Sequence, residues 1–212
     1  MKRMTLLAKR EDMRIETFRS HWSGRHAQLA LSLPGVCKYT QNRVESELLS
    51  LPHTGAFHVN GIVELFFTDE DAMKQAWNSD TGSRIIPDDE LLFLRGWTLS
   101  IVETDGPHDH VGAKVIVPIA LRDGISVEAA CLTLRDAALG AGATQIASNR
   151  VISSHERPRL WSEPVPPELF FVCWFETVDQ ACAAFSEAGL VHAVRDTAQL
   201  ASACLCDPLV IR

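Results

Sequence analysis

Four side chains in the first third of the chain are of the types that proton-transfer chemistry uses: His21, His26, Tyr39 and Glu64. An imidazole titrates near pH 6.5 in model peptides, so it can take or give a proton at neutral pH. His26 stands out by its position. At 100° per residue, Phe18, Trp22, His26, Leu29 and Leu33 share one helical stripe, apolar except for His26, with His21 and Arg25 along its edge. A histidine pressed onto a sheet by its own helix has two readings. It is a proton-transfer group, or a core histidine bonded to a backbone carbonyl or to Tyr39. Its neighbours Trp22, Leu29 and Tyr39 suit a flat apolar ligand. His21, one turn earlier on the edge, is expected at solvent.

A second cluster lies on the stretch from His58 to Phe67. Alternation puts Val59, Gly61, Val63, Leu65 and Phe67 on an apolar core face, and His58, Asn60, Ile62, Glu64 and Phe66 on the other. Polar residues on a face that should meet a partner sheet suggest a lined cavity. Glu64 there has its charged form disfavoured unless a cation pairs with it, and Arg43 on the neighbouring strand is the expected partner. The pocket therefore has two candidate positions, between helix and sheet around His26 or in a lumen around Glu64. Asn42, His58, Asn60, Phe66, Trp22 and Trp77 are the candidate substrate contacts. Trp77 and Trp97 also fit a plain core role, and Asp88-Asp89-Glu90 reads as a solvated helix cap.

These groups are carried by a simple succession of elements. A strand over Met4–Ala8 is followed by a helix from Ile15, stopped by Leu33-Pro34-Gly35. A strand over Val36–Val44 follows, then an aperiodic loop from Glu45 to Phe57 expected over a barrel mouth. A strand over Val59–Thr68, a helix over Asp69–Asn78, a short acidic helical turn over Ile86–Phe93 and a strand over Trp97–Glu103 complete a βαββαβ unit. Asp105–Gly112 reads as a linker. The pattern then returns, with strands near Lys114–Ile119, Thr144–Val151, Leu169–Glu176 and Ala203–Ile211, and helices near Val127–Leu139 and Val178–Phe185.

Local matches point to duplication. Gln41-Asn42-Arg43-Val44 matches Ser148-Asn149-Arg150-Val151, and Phe67-Thr-Asp-Glu-Asp71 matches Phe175-Glu-Thr-Val-Asp179. The expected fold is α+β: two tandem ferredoxin-like repeats, residues 1–105 and 112–212, packed sheet to sheet as a pseudo-dimeric barrel. The halves are not chemically equal. His21, Trp22 and His26 correspond to Thr133, Leu134 and Ala138, and Tyr39 to Ile146, while Asn42 persists as Asn149. One pocket per chain is expected, in residues 1–105, with the second half as scaffold.

The composition excludes several classes. A formal charge of −7 with no long basic run argues against nucleic acid and gives no reason for attraction to anionic membranes. No stretch reaches the ~20 apolar residues of a membrane span, and the N-terminal apolar run is short for a signal segment, so a cytoplasmic location is expected. The six cysteines form no CxxC pair and read as reduced thiols. His108-Asp-His110 offers two imidazoles in a linker, too few for a zinc site. There is no phosphate loop, Rossmann glycine pattern or GxSxG elbow.

His21-Trp22, Arg25-His26-Ala27, Leu33-Pro34-Gly35 and Tyr39-x-Gln41-Asn42 together resemble the EthD family. Asn60–Phe67, Asp88-Asp89-Glu90 and Phe93-Leu94 continue the likeness. The resemblance implies small ferredoxin-like domains that pair into dimeric α/β barrels without metal or organic cofactor. It also implies decarboxylation, dehydration or isomerisation of aromatic or polyketide-like compounds. The expectation is an enzyme, a lyase or isomerase, with His26 as acid/base. Tyr39, with His21 or Glu64, would orient the substrate, and Trp22, Phe66 and Trp77 would form aromatic walls. The rival expectations are a non-catalytic binding protein for a hydrophobic compound and a cofactor-free oxygenase. A small hydrophobic molecule is the expected partner, with a homodimer as the expected assembly if the halves pair between chains.

Overall fold

The structure, a computed structural model, describes residues 1–52, 56–186 and 188–212. Eight strands form it: β1 (Lys2–Lys9), β2 (Val36–Leu51), β3 (Gly61–Phe67), β4 (Leu94–Asp105), β5 (Ala113–Leu121), β6 (Gln145–Glu156), β7 (Leu169–Phe175) and β8 (Ala198–Val210). All pair antiparallel in a closed barrel of order β1-β3-β2-β8-β5-β7-β6-β4. Helices α1 (Ile15–His21), α2 (Ala27–Leu31), α3 (Glu70–Asn78) and α4 (Ile86–Phe93) belong to the first half of the chain. Helices α5 (Val127–Gly140), α6 (Val178–Ala184) and α7 (Ala188–Thr197) belong to the second.

Strand parity explains how this sequence fills a barrel. On β3, Val63, Leu65 and Phe67 pack into one core with Phe18, Trp22 and Phe93 of the helices. Ile62 joins a different cluster with Met4, Leu6, Phe170 and Cys204 in the lumen. A third cluster around Phe171, Leu134 and Val194 fills the helix side of the second half. Three apolar cores thus stack as helix layer, lumen and helix layer, each buried by the period-2 alternation of the strands between them.

The expected loop from Glu45 to Phe57 is instead mostly strand. β2 runs on to Leu51, pairing with β8 as far as Leu51↔Ala201. The register shifts twice, between Val44 and Ser46 and between Glu47 and Leu49. Bulges of this kind cancel the period-2 signal, which is why the segment looks aperiodic in sequence. Residues 53–55 of the expected loop lie outside the described residues. The turn after β4 caps a barrel end instead: Lys38 pairs with Asp109, and His108 and His110 meet Phe66 and Trp174 edge to face. Helix α7 was not expected from the sequence.

The first helix is continuous from 15 to 31 but not uniform. Trp22–His26 is a π turn, and a second π turn, Thr81–Ile85, leads into α4. Such single turns re-aim side chains by inserting a residue into the α ladder and recur at functional sites. Gly35, with φ of 73°, ends the connection to β2; a Cβ there would sit 2.3 Å from the Ala72 Cβ of α3.

Candidate functional site

The two π turns frame the cluster. Trp22–His26 carries His26 to the sheet side of its helix, and α4 brings Asp89 against it. His26 Nδ1 lies 3.0 Å from Asp89 Oδ2, His21 Nε2 lies 3.1 Å from both carboxylate oxygens, and Arg25 Nε donates to Oδ1 at 2.9 Å. The Asp89 side chain is 1% exposed. Burial alone would raise its pKa, but the hydrogen bonds and charge of His26 and His21 outweigh this and hold it at about 2. An ionised carboxylate only accepts, so the Nδ1 that faces Asp89 carries a proton, and in the neutral form of the ring Nε2 carries the lone pair. Among the described residues His26 Nε2 has no hydrogen-bond partner. The imidazole is packed edge-on against Phe93, centroids 5.0 Å apart.

His26 opens onto a cavity of about 40 Å³ between helices and sheet, also lined by Tyr39, Glu90, Trp77, Arg3 and Arg157. Tyr39 is fixed by its neighbours. Trp22 Nε1 donates to its hydroxyl at 3.0 Å, and Gln41 Nε2 donates to it at 2.8 Å while also holding the Trp22 carbonyl at 2.8 Å. With both incoming bonds accepted, the phenolic proton is free to donate into the cavity. Burial raises the Tyr39 pKa, so this group is a neutral donor. The Trp22 indole can lie flat on the sheet because residue 61 is glycine; a Cβ there would meet the ring at 2.5 Å.

Opposite stands a buried ion pair, Arg157 Nε to Glu90 Oε2 at 2.8 Å. Burial pushes the Glu90 carboxyl above its ordinary value, against the pull of Arg157, His26 and Arg3. Arg157 comes from the second half, on the turn after β6. That turn is sewn to β4 by Trp97 N–H to the Trp161 carbonyl at 2.8 Å and Trp161 N–H to the Arg95 carbonyl at 2.9 Å. Its guanidinium lies over Trp97 and Trp77, 4.5 and 5.4 Å from the ring centroids. Beyond Trp77 and Arg3 an outer cleft of about 280 Å³ opens, with Met73, Leu99, Ile101 and His155 in its walls.

Of the residues singled out from sequence, His26, Tyr39 and Trp77 meet at this cavity, and Trp22 and His21 brace it. His21 is not free at solvent but bonded to Asp89. Trp77 is 37% exposed rather than buried core, and it separates the inner cavity from the outer cleft. The others lie elsewhere. Glu64 is in the lumen, 2.7 Å from Lys2 Nζ and bonded also to Lys114 and to Asn42 Nδ2. Its partner is therefore not Arg43, which lies 3.8 Å from Asp207. Burial would raise the Glu64 carboxyl, but the two ammonium groups win and lower it. Phe66 sits beside it under Lys2 and Lys38. Asn42 Nδ2 donates to the Ile62 carbonyl, Asn60 Oδ1 accepts from the Lys9 amide, and His58 meets Trp161 edge to face.

Besides Arg3, contributors from three places in the chain were missed. Asp88-Asp89-Glu90 is a solvated cap only at Asp88; Asp89 and Glu90 are each 3% exposed. Arg157 shows that the second half supplies a charged group to the cavity and is more than a scaffold. Gln41, part of the Tyr-x-Gln-Asn motif, is the third. Among the described residues no group of three or more His, Cys, Asp or Glu side chains is placed to hold a metal ion, His108 and His110 included.

Fold and site together define a closed eight-stranded antiparallel barrel flanked by helices, with a polar cavity between its sheet and one helix layer. Residues 10–94, which contain His21, His26, Tyr39, Asp89 and Glu90, match the model of the EthD domain. No curated protein matches the sequence. Solved structures share the whole fold. An anthrone oxidase-like protein aligns over 99% of this chain and 92% of its own, with a TM-score of 0.65 at 9% identity. A putative monooxygenase from Lactobacillus acidophilus NCFM covers 99% and 94%, with a TM-score of 0.54 at 10% identity. A putative chlorite dismutase covers 97% and 95%, with a TM-score of 0.51 at 10% identity. At these identities the likeness is one of fold.

Proposed function

We propose that the Asp89–His26 pair is the proton-transfer centre of a cofactor-independent enzyme acting on a hydrophobic aromatic or cyclic metabolite. The observation that carries this reading is one imidazole that lines a cavity, with Nδ1 held by a buried carboxylate and Nε2 without a hydrogen-bond partner among the described residues. That is the arrangement a general base needs, since the carboxylate fixes the tautomer and stabilises the imidazolium once formed. Tyr39 then supplies a neutral donor for the oxygen on which negative charge develops. Loss of a proton from one carbon with its return to another is isomerisation; delivery of that proton to a departing hydroxyl, which leaves as water, is dehydration; and protonation of the carbanion left when carbon dioxide departs completes decarboxylation.

Size supports a division of the site. A cavity of about 40 Å³ holds a few water molecules, whereas a benzene-sized void needs about 150 Å³. The reacting group therefore enters the inner cavity while the ring rests in the outer cleft against Trp77, or Trp77 swings aside to admit it. The chain order β-α-β-β-α-β, run twice, also supports reading the barrel as two fused ferredoxin-like halves, residues 1–105 and 112–212. Closure within one chain leaves a homodimer unnecessary for completing the cavity.

The test is hydrogen exchange. Ketones and lactones bearing an aromatic ring are incubated with the protein in D₂O, and deuterium incorporation is followed by NMR. Catalysed exchange that vanishes in His26→Gln, with the variant still folded, is the expected result. Exchange surviving that substitution refutes the assignment. Binding without exchange by the unsubstituted protein favours a carrier role. An oxygenase shares the first proton abstraction, and dependence of product formation on dioxygen separates it from the lyase and isomerase readings.

A further inference from the structure

The charges around Trp77 do not cancel. Arg157 is neutralised by Glu90, and on the rim Lys74 is neutralised by Glu70 at 2.7 Å. Arg3 is left over. It lines both the inner cavity and the outer cleft, its guanidinium lies 5.1 Å from the Phe67 centroid and 6.0 Å from that of Trp77, and its Nε is buried without a hydrogen-bond partner. Among the described residues no carboxylate comes within ion-pair distance of it. A guanidinium held between aromatic faces, with donors unused at a cleft wall, is built to accept a planar anion. The carboxylates nearest this region face other cations, Glu90 on Arg157 and Glu70 on Lys74.

We propose that Arg3 is a specificity-determining residue and that the cleft takes ligands carrying a carboxylate on an aromatic body. The anion bonds Arg3, the ring stacks on Trp77, and the rest of the molecule reaches toward His26. This rests on reading the cleft as the substrate site but not on any chemistry at His26. It narrows the substrate class from hydrophobic compounds in general to aromatic acids.

The probes are 1-naphthoate and its neutral analogue 1-naphthamide, with affinity read from tryptophan fluorescence and calorimetry at pH 7.5. The unsubstituted protein should bind the acid at least 10-fold more tightly than the amide, and added salt should erode that preference. Arg3→Gln should abolish the preference while leaving amide binding in place, and Arg3→Lys should restore part of it. Equal affinity for the two probes, a preference that persists in Arg3→Gln, or failure of both to bind at millimolar concentration would overturn the proposal. His26→Gln separates the two ideas. It should lose hydrogen exchange yet keep the preference for the acid, so failure of catalysis at His26 and failure of anion selection at Arg3 give different results.

Discussion

Replacing Asp89 by Asn removes a charge but almost no volume, and its cost can be worked from the site. The carboxylate is held at about 2 against an ordinary 3.8, mainly by His26 and His21 overcoming its burial. One unit of displacement corresponds to 1.36 kcal/mol, so the ionised form contributes about 2 kcal/mol to folding. Arg25 adds little, since its side chain is 69% exposed and its pair with Asp89 is screened by water. The sign follows from the depressed value. The contribution is complete above the unfolded pKa and disappears as the pH falls through the folded one. Asp89→Asn should therefore be about 2 kcal/mol less stable than the unsubstituted protein at pH 7 in urea unfolding, and the gap should close between about pH 5 and pH 2. A gap that is absent at pH 7, or equally wide at pH 2.5, would refute the account of Asp89 as a buried anion anchored by two imidazoles.

Two further substitutions probe the supports. Gly61→Ala would place a methyl group 2.5 Å from the Trp22 ring, and overpacking of this kind costs about 1–3 kcal/mol; a reduced urea midpoint with an altered near-ultraviolet tryptophan spectrum is expected, and an unchanged spectrum would contradict the close approach. Glu64→Gln leaves Lys2 and Lys114 buried without their anion, so a loss of about 3–5 kcal/mol is expected in the same assay; a neutral result would mean that the lumen admits enough water to solvate both ammonium groups.

What the sequence disclosed follows from what is local. The alternation along β3 separates Val63 and Leu65 from Ile62 and Glu64 in the sequence alone, because side-chain period is a property of the strand itself. The helical stripe likewise placed Trp22 and His26 against the sheet. Asp89 stayed hidden because an acidic triplet just after Pro87 is what any helix N-terminus shows, and only the packing of α4 on the first helix turns one of the three inward. Arg157 stayed hidden for the same reason at longer range, since it reaches the cavity through strand pairing and the Trp161 bridge to β4. The π turns leave no mark in composition. Trp77 was placed in the core by its neighbours Met73 and Ala76, yet the outer cleft leaves one side of it open.

The most direct test of the central claim is the protonation pattern of a single ring. Long-range ¹H–¹⁵N NMR at pH 8 should show His26 as the Nδ1–H tautomer with Nε2 bare, and Asp89→Asn, whose amide can donate, should convert it toward the Nε2–H form. A His26 protonated on Nε2 in the unsubstituted protein, or a tautomer indifferent to Asp89→Asn, would contradict the role assigned to this pair.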